Sequence, residues 1–150
     1  MKALFAALVF AFSVFALAPA QAAGGASPDE AKAMAMKAAE FLKSNGKDKA
    51  FAVFNDKANA NFRDRDLYVF VVDNSGVTVS HGTNHALIGK SLLNIKDVDG
   101  KPFVQEMIAI KESGWVDYKW QNPQTKAVEP KTSYVVRVGD VVIGVGAYKG

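Results

Sequence analysis

The chain has 150 residues, with 18 Lys and Arg against 15 Asp and Glu, and no cysteine. Without cysteine there is no disulfide, thiolate nucleophile, thiolate-bound zinc or covalently attached c-type haem. A net charge of +3, scattered along the chain, is too small to indicate a nucleic-acid partner.

Residues 1–22 read as a signal peptide. Lys2 precedes an uncharged apolar run from Ala3 to Leu17, followed by Pro19 and the small-x-small pattern Ala20-Gln21-Ala22 that signal peptidase cleaves. The run is short for a membrane span, which needs about 20 residues. Cleavage is expected after Ala22, which would place residues 23–150 in the periplasm as one domain with a single core. An uncleaved anchor is the alternative. In that oxidising compartment the cysteine-free fold must stand on packing alone.

Ser27-Pro28-Asp29-Glu30 predicts a helix start, with Ser27 as cap, Pro28 in the first turn and Glu30 completing a capping box. The helix is expected to run to about Ser44. Ala31, Met34, Ala35, Ala38, Phe41 and Leu42 form its apolar face, and Asn45-Gly46 ends it. A short second helix from Asp48 places Phe51 and Phe54 on one side, and Asn55 to Asp66 reads as a loop.

From Leu67 the period changes. LYVFVVD and VTVSH, joined by Asn74-Ser75-Gly76, predict a β-hairpin. Gly82 to Pro102 reads as a long folded loop, and Pro102 opens a helix over Phe103 to Ser113, stopped by Gly114. Strands are expected over Trp115 to Trp120, Ser133 to Val138 and Val141 to Tyr148, the last two joined by Gly139-Asp140. This order is α+β, with an antiparallel sheet of about five strands. The N-terminal helix should cover one sheet face. The middle loop and helix should cover the other and enclose a pocket.

That layout gathers His81, His85, Tyr118, Trp120, Lys131 and Tyr134. Strand alternation puts Val116, Tyr118 and Trp120 on one face and Trp115, Asp117 and Lys119 on the other. The first set is expected to face inward. The spacing of His81 and His85, in a non-helical Gly-Thr-Asn loop, is not that of a helical metal pair, so the two read as loop-fixing hydrogen-bonders. Asp97-Val98-Asp99-Gly100 lacks the glutamate a calcium loop needs at its twelfth position, which is Ile108, and reads as an Asx turn. No nucleophile elbow and no spaced acidic pair is present, so no metal, cofactor or enzymatic reaction is expected.

Taken in order, DLYVFVVDNSG, VSHGTNHALIGKSL, DVDGKPFVQEM, GWVDYKWQNP, KTSYVVRV and IGVGAY resemble the single Cache domains of bacteria over about Asp29 to Tyr148. The resemblance implies a long N-terminal helix followed by a PAS-like antiparallel sheet. It also implies extracytoplasmic sensing of small molecules, often organic acids, in chemoreceptors and sensor kinases. Receptor members continue into a transmembrane helix and a signalling module, whereas this chain stops two residues after Tyr148. A free-standing periplasmic member, acting in signal transduction or chemotaxis with a separate membrane receptor or sensor kinase, is therefore expected.

Carried over residue by residue, the family pattern puts its second-strand histidine at His81, its third-strand aromatic pair at Tyr118 and Trp120, and its lysine and tyrosine at Lys131 and Tyr134. Tyr68 looks pocket-directed as well. Asn84 and His85 stand where loop residues vary, and Arg65 could reach the pocket mouth. A lysine facing an aromatic pocket is costly to desolvate unless an opposite charge pairs with it. The expected ligand is thus anionic, with a carboxylate favoured, met by Lys131 from the pocket rim. The competing reading is a structural or interaction protein whose pocket is filled by its own side chains.

Overall fold

A computed structural model describes residues 24–150. The expected signal peptide and its cleavage site lie outside these residues. Helix α1 spans Pro28–Asn45, and both halves of the Ser27/Glu30 capping box are formed. Its buried face is Ala31, Ala35, Ala38, Ala39 and Leu42, small enough on four of five positions to let the helix lie close against the sheet. Gly46, at φ 81°, closes α1 and leads into α2, Lys47–Asn55. Glycine adopts that left-handed backbone without the Cβ penalty.

Six strands follow: β1 Arg63–Asp64, β2 Leu67–Asp73, β3 Thr78–His81, β4 Ser113–Gln121, β5 Val128–Val138 and β6 Val141–Tyr148. All pairs are antiparallel, in the order β1-β2-β6-β5-β4, with β3 also paired to β2. The expected α+β class and antiparallel sheet are therefore present. The strand count exceeds the expected five through the two-residue β1, inside the stretch read as loop.

Two boundaries differ for physical reasons. Strand β5 starts at Val128 and not at Ser133, running through Pro130. Its pairing with β6 begins only at Lys131, while β4 accompanies it from the start. Pro130 thus sits where β5 is still an edge and a missing N–H is tolerated. Helix α3 ends at Ala109, short of the expected Ser113. The Arg137 guanidinium takes over there, donating from Nε to Ile110 O at 2.7 Å and from Nη2 to Ile108 O at 2.6 Å. These bonds cap the helix end and free the chain to turn into β4.

The sheet separates two cores. On one side α1 and α2 pack over Val69, Val71, Ile143, Val145 and Ala147, with Phe54 and Phe62 in edge-on contact at 4.9 Å. On the other, α3 and residues 82–102 cover Phe70, Val72, Val116, Tyr118, Val135, Val142 and Tyr148. Polar ties hold this cover in place. Asp97 accepts from the backbone N–H groups of Asp99, Lys101 and, on β4, Lys119, each at 2.9 Å. The expected Asx turn is formed. Because Lys101 Nζ also donates to Asp117 O, the cover occupies the exposed edge of β4.

Candidate functional site

The site is built on the second sheet face. Along β6 that face carries Val142, Gly144, Gly146 and Tyr148, by alternation. A Cβ at Gly144 would overlap the Phe70 ring, and one at Gly146 would overlap Lys131 Cε and Ser133 Oγ. The two glycines therefore form a trough in which side chains from β2 and β5 lie across β6. In that trough Lys131 runs inward rather than out to solvent.

Lys131 is 1% exposed, so it is not the rim lysine that the sequence suggested. It stands behind Tyr68 and Tyr118, which themselves line a cavity. Its ammonium lies 4.2 Å from the ring centre of Tyr68, 5.0 Å from Tyr148, 5.3 Å from Phe70 and 5.7 Å from Tyr118. Nζ donates to Tyr68 Oη at 2.9 Å. Tyr148 Oη donates to Gln121 O at 2.7 Å and lies 3.3 Å from Tyr68 Oη. With the Tyr148 proton committed to Gln121, the Tyr68 hydroxyl is the donor of that long contact. Among the described residues Lys131 makes no ion pair. Burial pushes its ammonium down to about 7 from the usual 10.5, opposed in part by the charge of Asp66. Burial also pushes the hydroxyls of Tyr68 and Tyr118 well up, so both remain neutral donors at any physiological pH.

His81, at the end of β3, joins this group. Its Nδ1 accepts from the backbone N–H of Asn84 at 3.0 Å and of Thr83 at 3.3 Å. Those two donors select the neutral tautomer with its proton on Nε2. Burial, then the charges of Lys131 and His85, push the imidazole down to about 3. His81 is thus a permanent neutral donor that also fixes the start of the cover. His85 is exposed, with Nε2 bonded to Asn55 O at 2.8 Å.

A β-bulge explains why Thr78 and His81, three residues apart, share a face. Pairing shifts between Val71↔Ser80 and Val72↔Thr78, leaving Val79 as the extra residue. Strand β5 has no such bulge, so Lys131 and Tyr134 point to opposite faces. Tyr134 packs on the α1 side, edge-on to Trp115, with its hydroxyl bonded to Ser113 Oγ at 2.9 Å. Its expected place in the pocket is corrected accordingly. Arg65 is likewise elsewhere, paired with Glu30 and Asp64.

Two spaces on this face share lining residues. An inner cavity of about 30 Å³ is walled by Phe70, Val72, Leu92, Phe103, Val104 and Met107, with Thr78, Tyr68, His81, Tyr118 and Trp120. Tyr118 stacks on Phe103 at 4.5 Å and its hydroxyl bonds Ser133 Oγ at 2.9 Å. An outer vestibule of about 500 Å³ shares Tyr68, His81, Leu87 and Trp120 with it, and adds Lys96, Lys119 and Lys126 near its rim. The structure therefore brings Tyr68, His81, Tyr118 and Trp120 around one cavity with Lys131 behind it. Sequence reasoning missed Tyr148 and Thr78. The first was visible as the alternate partner of Gly144 and Gly146; the second required the bulge.

A helix-backed antiparallel sheet with a small ligand-sized space beneath its cover is the architecture of an extracytoplasmic sensor domain. Residues 8–150 match the family described as Single Cache domain 2. The chain belongs to that family.

Among solved structures, a methyl-accepting chemotaxis protein from Vibrio parahaemolyticus superposes with a TM-score of 0.70 at 26% identity, covering 80% of this chain and 86% of that one. A periplasmic sensor domain of a chemotaxis protein gives 0.62 at 27%, covering 81% and 90%. A Cache chemosensory domain described as recognising carboxylic acids gives 0.61 at 25%, covering 81% and 88%. The sensor histidine kinase MctS of Rhizobium johnstonii is 34% identical over 88 residues, 56% of this chain and 19% of that protein. The chain thus spans about a fifth of the length of that relative. Among the described residues no helix is long and apolar enough to cross a membrane.

Proposed function

We propose that residues 1–22 direct export and are removed, and that residues 23–150 act in the periplasm as a sensing module for a short-chain carboxylate, working with a membrane receptor or sensor kinase. The observation that carries this reading is Lys131, a buried cation caged by aromatic rings with no carboxylate paired to it among the described residues. Such a charge is costly to hold, and an anionic ligand supplies the missing partner. His81, through Nε2–H, and Tyr68, whose hydroxyl turns its proton from the long contact with Tyr148, line both spaces and donate to the carboxylate. Lys131, bonded to Tyr68 from behind, supplies the charge. The inner cavity of about 30 Å³ is small, so the tail beyond the carboxylate is short.

The same small volume favours the competing reading, in which side chains already fill the space and the protein serves as an interaction module. A thermal-shift screen of the purified protein against two- to four-carbon carboxylates, amino acids and amines separates the two. Ligand at 100 times its dissociation constant stabilises by about 2.7 kcal/mol. Carboxylates alone should raise the melting temperature; no shift with any of them overturns the proposal. Intact mass of exported material should begin at Ala23, and a full-length chain in the membrane fraction would show retention of the leader.

A further inference from the structure

Among the described residues the buried Lys131 ammonium has one hydrogen-bond partner, the Tyr68 hydroxyl at 2.9 Å. An ammonium only donates, so Tyr68 Oη accepts from it and keeps its own proton for another direction. A neutral amine reverses that bond. Its lone pair takes the Tyr68 proton, and the tyrosine oxygen then turns lone pairs to its other side. That side meets the ligand space: Tyr68 lines both the inner cavity and the vestibule, and its hydroxyl is within hydrogen-bonding reach of Thr83 and Trp120 in the vestibule wall.

The surroundings hold Lys131 in neither charge state firmly. Burial favours the neutral amine, while four aromatic rings and one neutral oxygen compensate the charge in part. On β2, the Asp66 carboxylate accepts from the Ala26 N–H at 3.0 Å and makes no ion pair with Lys131. On β3, His81 is neutral, with the exposed His85 beyond it. Tyr118 of β4 and Tyr148 of β6 keep their protons, since burial raises both. Glu129, whose charge reaches Tyr148, is bonded to Asn122 and Thr125. The ammonium releases its proton at about 7.

We infer that Lys131 and Tyr68 form a protonation switch on the anion site: with Lys131 charged, the Tyr68 proton turns to the ligand, and with Lys131 neutral, Tyr68 presents lone pairs that repel an anion. The inference rests on the carboxylate reading and adds its regulation. An anion in the site favours the charged lysine, so binding draws a proton onto Lys131 and weakens as pH rises through the value of the free protein. The module then responds to an acid only where the surrounding pH keeps Lys131 charged.

Calorimetry of the purified protein with acetate, propanoate and butanoate, in buffers of different ionisation heat, tests this. The tightest of the three should bind at least about tenfold more weakly at pH 9 than at pH 7. At pH 8 the buffer dependence of the heat should show most of one proton taken up per anion. NMR of lysines labelled at Cε assigns that proton: the resonance missing from Lys131→Met should titrate at about 7 in the free protein and well higher with the anion bound. An affinity unchanged from pH 7 to pH 9, no proton uptake at pH 8, or a Lys131 resonance that does not titrate below pH 9 overturns the inference and leaves the carboxylate reading standing. Absence of binding by all three acids at pH 6 and above overturns both.

Discussion

Replacing Lys131 by methionine removes a buried charge while keeping the length of the side chain. An unfolded lysine holds its proton up to 10.5, whereas burial lowers the folded value to about 7. Between these values the unfolded state binds more protons, so wild-type stability rises with pH across that window and is lowest below it. The gap corresponds to about 5 kcal/mol. Methionine removes that cost, so the variant should be more stable than wild type by about 5 kcal/mol at pH 6, and the difference should shrink toward zero above pH 10. Urea denaturation at a series of pH values reads this directly. A variant less stable than wild type at pH 6, or a difference that does not change with pH, would show that a buried partner neutralises Lys131 and would remove the argument for an anionic ligand. The same variant should bind the best carboxylate from the screen at least tenfold more weakly by calorimetry.

The remaining expectations follow from which face each side chain occupies. Tyr68→Phe removes the hydroxyl that Lys131 contacts at 2.9 Å and should weaken carboxylate binding at least tenfold in calorimetry. Tyr134→Phe, on the far face, should leave affinity unchanged; equal losses from both would place Tyr134 in the site after all. Gly146→Ala forces a Cβ against Lys131 and Ser133 and should cost about 1–3 kcal/mol in urea denaturation, while Gly139→Ala, whose Cβ meets nothing but whose φ is 59°, should cost about 1 kcal/mol.

The order of elements was legible because each carries its own punctuation. The capping box at Ser27, the glycine after α1, the shift to a period of two at Leu67 and the Gly139-Asp140 hairpin are local features, and local features survive folding. Elements that depend on tertiary partners were not legible. The end of α3 is set by Arg137, 27 residues beyond Ile110, and the start of β5 is hidden by Pro130, acceptable only because β6 has not yet joined that strand. The face assignment on β4 followed from alternation alone: Tyr118 is buried and Asp117 exposed. Lys119, read as exposed, is half-buried because the cover draws its backbone to Asp97.

At the site, counting residues along a strand was enough in one case and misleading in another. Lys131 and Tyr134 are an odd number of positions apart, and in an unbroken strand that spacing alone separates their faces. Thr78 and His81 have the same spacing and yet face one cavity, since the bulge at Val79 inserts the missing half-period. A bulge is a property of the pair of strands and leaves no fixed mark in either sequence. The burial of Lys131 has a similar origin. A lysine on a strand normally carries its head to water along its stem, and the absence of a side chain at Gly146, two strands removed from Tyr118 in the sheet, lets this one turn inward. The direction of each candidate site residue is thus decided by a neighbouring strand, and for that reason the resemblance marks Lys131 as a candidate while its position, behind the aromatic wall, was not legible.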